Sequence, residues 1–180
     1  MSPCTPYIDS SLGRVESVTE LTRPFGADLY EGKLIFETDT KRVMVYSSGA
    51  WEIESEPVQT WSVTSVTQNG ARACTTTYGW YQRSRGKFVA QATMSGFAAG
   101  SAGNAITIPT PVTLVTSEAV GGAFSYFDSG VAFYSGYINP FTVNAVGFVQ
   151  DGSNNSFGVV TSLALAAADV MRVTMHGRYA

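Results

Sequence analysis

The side chains able to do chemistry are few and scattered. Cysteine occurs at Cys4 and Cys74, and histidine only at His176. A zinc centre draws on three or four such ligands, often at short C-x-x-C spacing. Two distant cysteines and one remote histidine do not fit that pattern, and they are expected to be unpaired thiols in a reducing compartment and a lone ring. Beyond residue 58 the carboxylates are Glu118, Asp128, Asp151 and Asp169. Glycoside cleavage needs a carboxylate pair, and one drawn from adjacent subunits stays open. Yet Asp128, Asp151 and Asp169 adjoin turn or loop segments such as Asp128-Ser129-Gly130 and Asp151-Gly152-Ser153, where aspartate bonds to nearby backbone. A serine triad would depend on His176, which lies in an alternating strand beside Gly177 and Arg178, and no G-x-S-x-G elbow occurs. No phosphate loop or dinucleotide fingerprint is present either. The expectation is a protein without catalysis, with no catalytic, cofactor-binding or metal residue assigned.

Aromatic side chains are the other candidate feature. Tyr78, Trp80 and Tyr81 form one group, and Phe124, Tyr126, Phe127, Phe133, Tyr134, Tyr137 and Phe141 another. Exposed rings stack on sugars, whereas rings on alternating strands belong to a core or a subunit interface; the second role is the expected one. Arg83, Arg85 and Lys87 make a small basic group beside Trp80 and Tyr81. With a net charge of −3, they are expected to be a solvated turn rather than a nucleic-acid surface.

The elements that must position these residues divide the chain unevenly. Residues 1–58 hold five basic and ten acidic side chains, whereas residues 59–180 hold six basic and four acidic. Ordinary soluble surfaces carry charge on roughly a quarter or more of their residues. So sparse a supply in the larger part implies that other chains cover it, which points to a homo-oligomer. No apolar run approaches the roughly 20 residues that span a bilayer, and the start lacks the basic and apolar regions of a secretory signal. A complete soluble chain made in a cytoplasm is expected, with no membrane insertion.

Along the chain, residues 1–22 read as an arm. Pro3 and Pro6 keep its start out of helix, and Val15, Val18 and Leu21 recur every three residues, predicting a short helix that Pro24 ends. Residues 23–57 predict a small β-meander with strands at Lys33–Glu37, Arg42–Tyr46 and Trp51–Ile53, and an apolar face of Ile35, Val43, Val45 and Trp51. Residues 58–180 alternate almost throughout. Phe88, Ala90, Ala92 and Met94 share one face, as do Phe141, Val143, Ala145, Gly147 and Val149, and also Met171, Val173 and Met175 opposite Arg172, Thr174 and His176. Turn clusters fall at Gln68-Asn69-Gly70, Gly100–Asn104, Gly121-Gly122, Asn139-Pro140 and 151–155. A helical turn is expected within Ser162–Asp169. The predicted fold is all-β: an antiparallel β-sandwich or jelly-roll-like body of about eight strands.

One stretch carries a resemblance. Thr22-Arg23-Pro24, Tyr30-Glu31-Gly32, Ile35-Phe36-Glu37-Thr38-Asp39-Thr40-Lys41-Arg42, Val45-Tyr46 and Trp51 resemble a segment of minor tail and fibre-like virion proteins of tailed bacteriophages, particularly those infecting actinobacteria. Segments around Trp61, Tyr78-Gly79-Trp80-Tyr81, Ile106–Pro109 and Asp169–Thr174 are similar to the C-terminal β domains of such proteins. The resemblance implies a non-enzymatic virion structural protein, assembled in the host bacterial cytoplasm. It would form a homotrimer through its β domain and attach by its arm to other virion proteins of tail, neck or capsid. A receptor- or carbohydrate-binding adhesin touching host surface glycan is the alternative, and a glycan hydrolase stands third.

Overall fold

The computed structural model describes residues 15–115, 120–150, 157–158 and 163–180. Strands dominate, and no helix among the described residues is long and apolar enough to cross a membrane. The chain forms two compact units. One holds the described residues up to Pro57 together with Arg83–Gly86, and the other holds Val58–Gln82 with the described residues from Lys87 onward.

The first unit is a four-stranded sheet in the order β1 (Glu16–Val18), β2 (Leu34–Glu37), β3 (Arg42–Ser47), β4 (Ala50–Ser55). The predicted meander is present as β2–β4. The predicted short helix is not: Val15–Leu21 supplies a strand parallel to β2, followed by a 3-10 turn at Glu20–Thr22. A three-residue apolar spacing over two turns cannot hold a helix alone, and pairing with β2 satisfies the backbone instead. Thr38 N–H donates to the Val18 carbonyl at 2.8 Å. Val18 is buried whereas Leu21 is 95% exposed. The apolar face also differs from expectation. The register sets Ile35 opposite Met44, so Met44 joins Val18 and Ile35 in the small core, with Trp51 and Ile53 against it. Val43 and Val45 therefore point to the other face, because side chains alternate along a strand.

The second unit is a ten-stranded sheet. In chain order its strands are β5 (Gln59–Thr60), β6 (Ser65–Thr67), β7 (Ala71–Ala73), β8 (Thr75–Ser84), β9 (Lys87–Ser95), β10 (Thr107–Pro109), β11 (Gly121–Asp128), β12 (Ala132–Thr142), β13 (Ala145–Gln150) and β14 (Val170–Arg178). In space the order is β5-β8-β9-β14-β11-β12-β13-β10-β6-β7. β5 and β6 are successive parts of one run, as are β7 and β8. The two runs pair as a bent hairpin around Gln68-Asn69-Gly70, with Trp61 N–H bonded to Gly79 O at 3.1 Å and Cys74 N–H to Thr64 O at 3.0 Å. The two ends of the sheet are thus halves of one hairpin, so the sheet curls round until they meet. Closure of this kind removes exposed strand edges.

Inside the curl lie Trp61, Phe88, Met94, Phe124, Tyr126, Phe148, Met171 and Met175. The alternation predicted for β9 and β14 holds. The run expected as one strand over 141–149 does not, because β12 ends at Thr142 and β13 turns back from Ala145, burying Val146, Phe148 and Val149. Asn139-Pro140 is no turn but lies within β12, beside an irregular register between Pro140 and Thr142. Gly121-Gly122 opens β11 instead of making a turn. A β-carbon on Gly122 would lie 2.2 Å from the Thr174 carbonyl, so glycine there serves close strand approach. Ser162 lies outside the described residues; from Leu163 to Asp169 the chain is irregular with a turn at 167–168 and no helix, and Leu163 and Leu165 enter the core. The buried Gln68 side chain anchors these loops, donating to Leu163 O at 2.7 Å and accepting from Ser101 N–H and Leu165 N–H at 3.2 Å each.

Candidate functional site

The stretch from Thr22 to Trp51 folds into a clasp in the first unit. Arg23 donates to the fully buried Glu37, whose second oxygen accepts from Thr40 Oγ1 at 2.6 Å. Burial alone would raise the Glu37 pKa, but the hydrogen bonds from Arg23 and Thr40 outweigh it and hold the carboxyl below its ordinary range. Asp39 accepts Glu20 N–H at 3.1 Å and its pKa is likewise lowered, chiefly by that bond. Tyr46 and Trp51 meet edge to face at 5.4 Å. Residues scattered over thirty positions of sequence therefore act together as structure.

The basic group of Arg83 and Arg85 belongs to this unit and is engaged by carboxylates. Arg83 grips the buried Glu56 with two bonds of 2.7 Å, and Arg42 reaches the same carboxylate at 3.2 Å. Arg85 bonds Glu54 at 2.6 Å. Arg85 and Gly86 both have positive φ, 48° and 69°, the backbone of a tight two-residue hairpin turn.

In the second unit, Asp169 is buried at 1% exposure. Its carboxylate takes a hydrogen bond from the Tyr126 hydroxyl and further bonds from Ala166 N–H at 2.7 Å and Ser129 N–H at 3.2 Å. Burial first, and then this bond to Asp169, push the Tyr126 pKa well above its usual value. Asp128, one strand position from Phe127, also has a raised pKa, through desolvation and then the charge of Asp169. Glu118, Asp151 and Cys4 lie outside the described residues. Cys74 is half-buried, and burial raises its thiol pKa. His176 stands on the outer face, its ring lying over Gly121, where a β-carbon would come within 2.7 Å of Nε2. The structure does not bring His176 and Cys74 together with a third ligand, and among the described residues no group of three His, Cys, Asp or Glu is placed to hold a metal.

The aromatic group is split by strand alternation. Phe124, Tyr126 and Tyr134 turn inward and pack with Phe148 and Phe157, ring centroids 4.9–6.3 Å apart. Phe127, Phe133, Tyr137 and Phe141 turn outward with exposures of 49%, 66%, 41% and 66%. They stand on a broad outer face built by β9, β14, β11 and β12. No described carboxylate projects from that face, whose charged groups are Lys87, Arg172 and Arg178.

Near the β11–β12 turn this face forms a shallow hollow of about 280 Å³ lined by Ser125, Phe127, Phe133, Val170 and Arg172. Register places Val170, Phe127 and Phe133 in one row across three strands, and Arg172 opposite Ser125 in the next. Arg172 makes no ion pair or hydrogen bond among the described residues. The alternation of β14 marks Arg172 as outward-facing in the sequence. Its two phenylalanine neighbours lie some forty residues away along the chain, and no local pattern announces that meeting. Comparison of the chain with protein-family models, with curated proteins and with solved structures finds no match in any of the three.

Proposed function

We propose that this chain is a non-enzymatic structural protein of a tailed-phage virion, a minor tail, fibre-like or capsid-surface component. It forms a homotrimer through its β unit and is held on the particle by its N-terminal segment. The observation that carries the reading is the outer flank of β12, where Tyr137 and Phe141 stand exposed on a sheet face poor in charge. Burying one large apolar side chain is worth about 1.5–3 kcal/mol, and a closed ring repeats that gain at each of its contacts. A row of exposed aromatics on a rigid sheet is the composition expected of an interface centre.

Light scattering on the full chain tests this. A mass of three times 19.2 kDa is expected at micromolar concentration, and Phe141→Lys should shift it toward monomer with unchanged far-UV circular dichroism. A wild-type monomer refutes the reading. For attachment, deletion of residues 1–14 spares β1, whose Val18 belongs to the small core, and should leave a folded trimer that no longer enters particles.

A second reading, an adhesin that binds carbohydrate, is favoured by one specific feature, the hollow of Phe127, Phe133 and Arg172.

A further inference from the structure

We propose that this hollow binds a carboxylate-bearing sugar, such as a uronic acid, with Arg172 taking the carboxylate and Phe127 and Phe133 supporting the ring. The inference rests on the adhesin reading and adds to it the chemical class of the ligand. Phe127 and Phe133 are directly paired across β11 and β12, giving a continuous apolar floor with Val170 at its side. The Arg172–Ser125 row lies two residues further along, about 7 Å away. An apolar surface for a sugar's C–H face thus adjoins a cation and a hydroxyl at the distance of a ring substituent.

Charge decides the sign of the ligand. Arg172 has no partner among the described residues, and its outer-face neighbours Thr93, Ser125, Val170 and Thr174 are uncharged. Asp128 alternates to the opposite side of β11 from Phe127, so it does not neutralise the guanidinium. A guanidinium fork pairs with a carboxylate through two parallel hydrogen bonds.

Position favours a sugar over a peptide. Extended peptides gain much of their affinity by adding a strand to a free sheet edge. The hollow sits on β14, β11 and β12, each of which already has a strand bonded on both sides. It offers a flat face and side-chain groups, not free backbone. The hollow is offset along β12 from the flank assigned to self-association, since Tyr137 and Phe141 lie four and eight residues from Phe133, about 13 and 26 Å.

The test is calorimetric titration of the full chain with tri-galacturonate and with its neutral counterpart, tri-galactose, repeated on Arg172→Gln and Phe133→Ala. Both positions are exposed, and circular dichroism checks that each variant folds. Binding of the acidic trimer at least tenfold tighter than the neutral one is expected. Arg172→Gln should abolish that preference, and Phe133→Ala should weaken both ligands. Equal affinity for the two sugars, or an unchanged preference in Arg172→Gln, overturns the acidic site while leaving the adhesin reading standing. Binding of neither sugar overturns both. An acidic peptide of alternating Glu and Phe that binds as tightly as tri-galacturonate overturns the assignment to sugar.

Discussion

Replacing Asp169 by alanine probes the part of the β unit where a catalytic carboxylate and a structural one make opposite demands. The side chain is 1% exposed and satisfies three donors: the Tyr126 hydroxyl, Ala166 N–H and Ser129 N–H. Asp169→Ala strands all three. The fully buried Tyr126 hydroxyl loses a bond to a charged acceptor, at a cost of about 1.5–3 kcal/mol, and each of the two part-buried amides adds about 0.5–1.5 kcal/mol. The expected destabilisation is about 2.5–6 kcal/mol, a large share of the ~5–15 kcal/mol that holds a domain folded. Urea unfolding followed by near-UV circular dichroism measures it as a lower midpoint at unchanged slope. Tyr126→Phe should cost about 1.5–3 kcal/mol by itself. The double variant should fall well short of the sum, because the two substitutions remove one shared bond. A loss below about 1 kcal/mol in Asp169→Ala, or strict additivity with Tyr126→Phe, would refute the reasoning. Polysaccharide cleavage that vanished in a still-stable Asp169→Asn would instead revive the hydrolase.

Two pH dependences follow from the same physics. Tyr126 is neutral in the folded chain beyond the range where an unfolded tyrosine ionises near pH 10. Above that pH the unfolded state releases the proton and the folded state keeps it, so stability should fall by up to about 1.4 kcal/mol per pH unit; Tyr126→Phe should show a correspondingly shallower alkaline decline. Glu37 has a lowered pKa in the folded chain, so its contribution is present above the unfolded carboxyl value of about 4.3 and is lost as pH falls through the folded one. Hydrogen exchange of the β2 amides should accelerate below about pH 4, and Arg23→Ala should move that onset to higher pH; an unmoved onset would show that Arg23 does not set it.

The all-β class, the β2–β4 meander and the inward faces of β9 and β14 were legible in sequence because a strand buried on one side writes its environment with a period of two. Phe88, Ala90, Ala92 and Met94, and again Met171, Val173 and Met175, follow that rule without interruption. The paucity of charge beyond residue 58 and the backbone-bonding tendency of Asp169 were likewise properties of residue type. Where local patterns misled, long-range pairing had overridden them. Val15–Leu21 has helical spacing but becomes a strand because β2 offers a parallel partner. Phe141 to Val149 alternates in unbroken fashion, yet it crosses a turn, since two adjacent strands in antiparallel register can alternate in phase.

Only the tertiary structure decided which aromatics face inward, where Glu37 and Glu56 find their arginines, and that Arg172 stands beside two phenylalanines from other strands. Sequence fixes the alternation of each strand by itself, through side-chain chemistry and local sterics. Cross-strand neighbours are set by register and strand order, which depend on packing the whole core at once. The clasp of the first unit and the hollow of the second are both products of that second, non-local step.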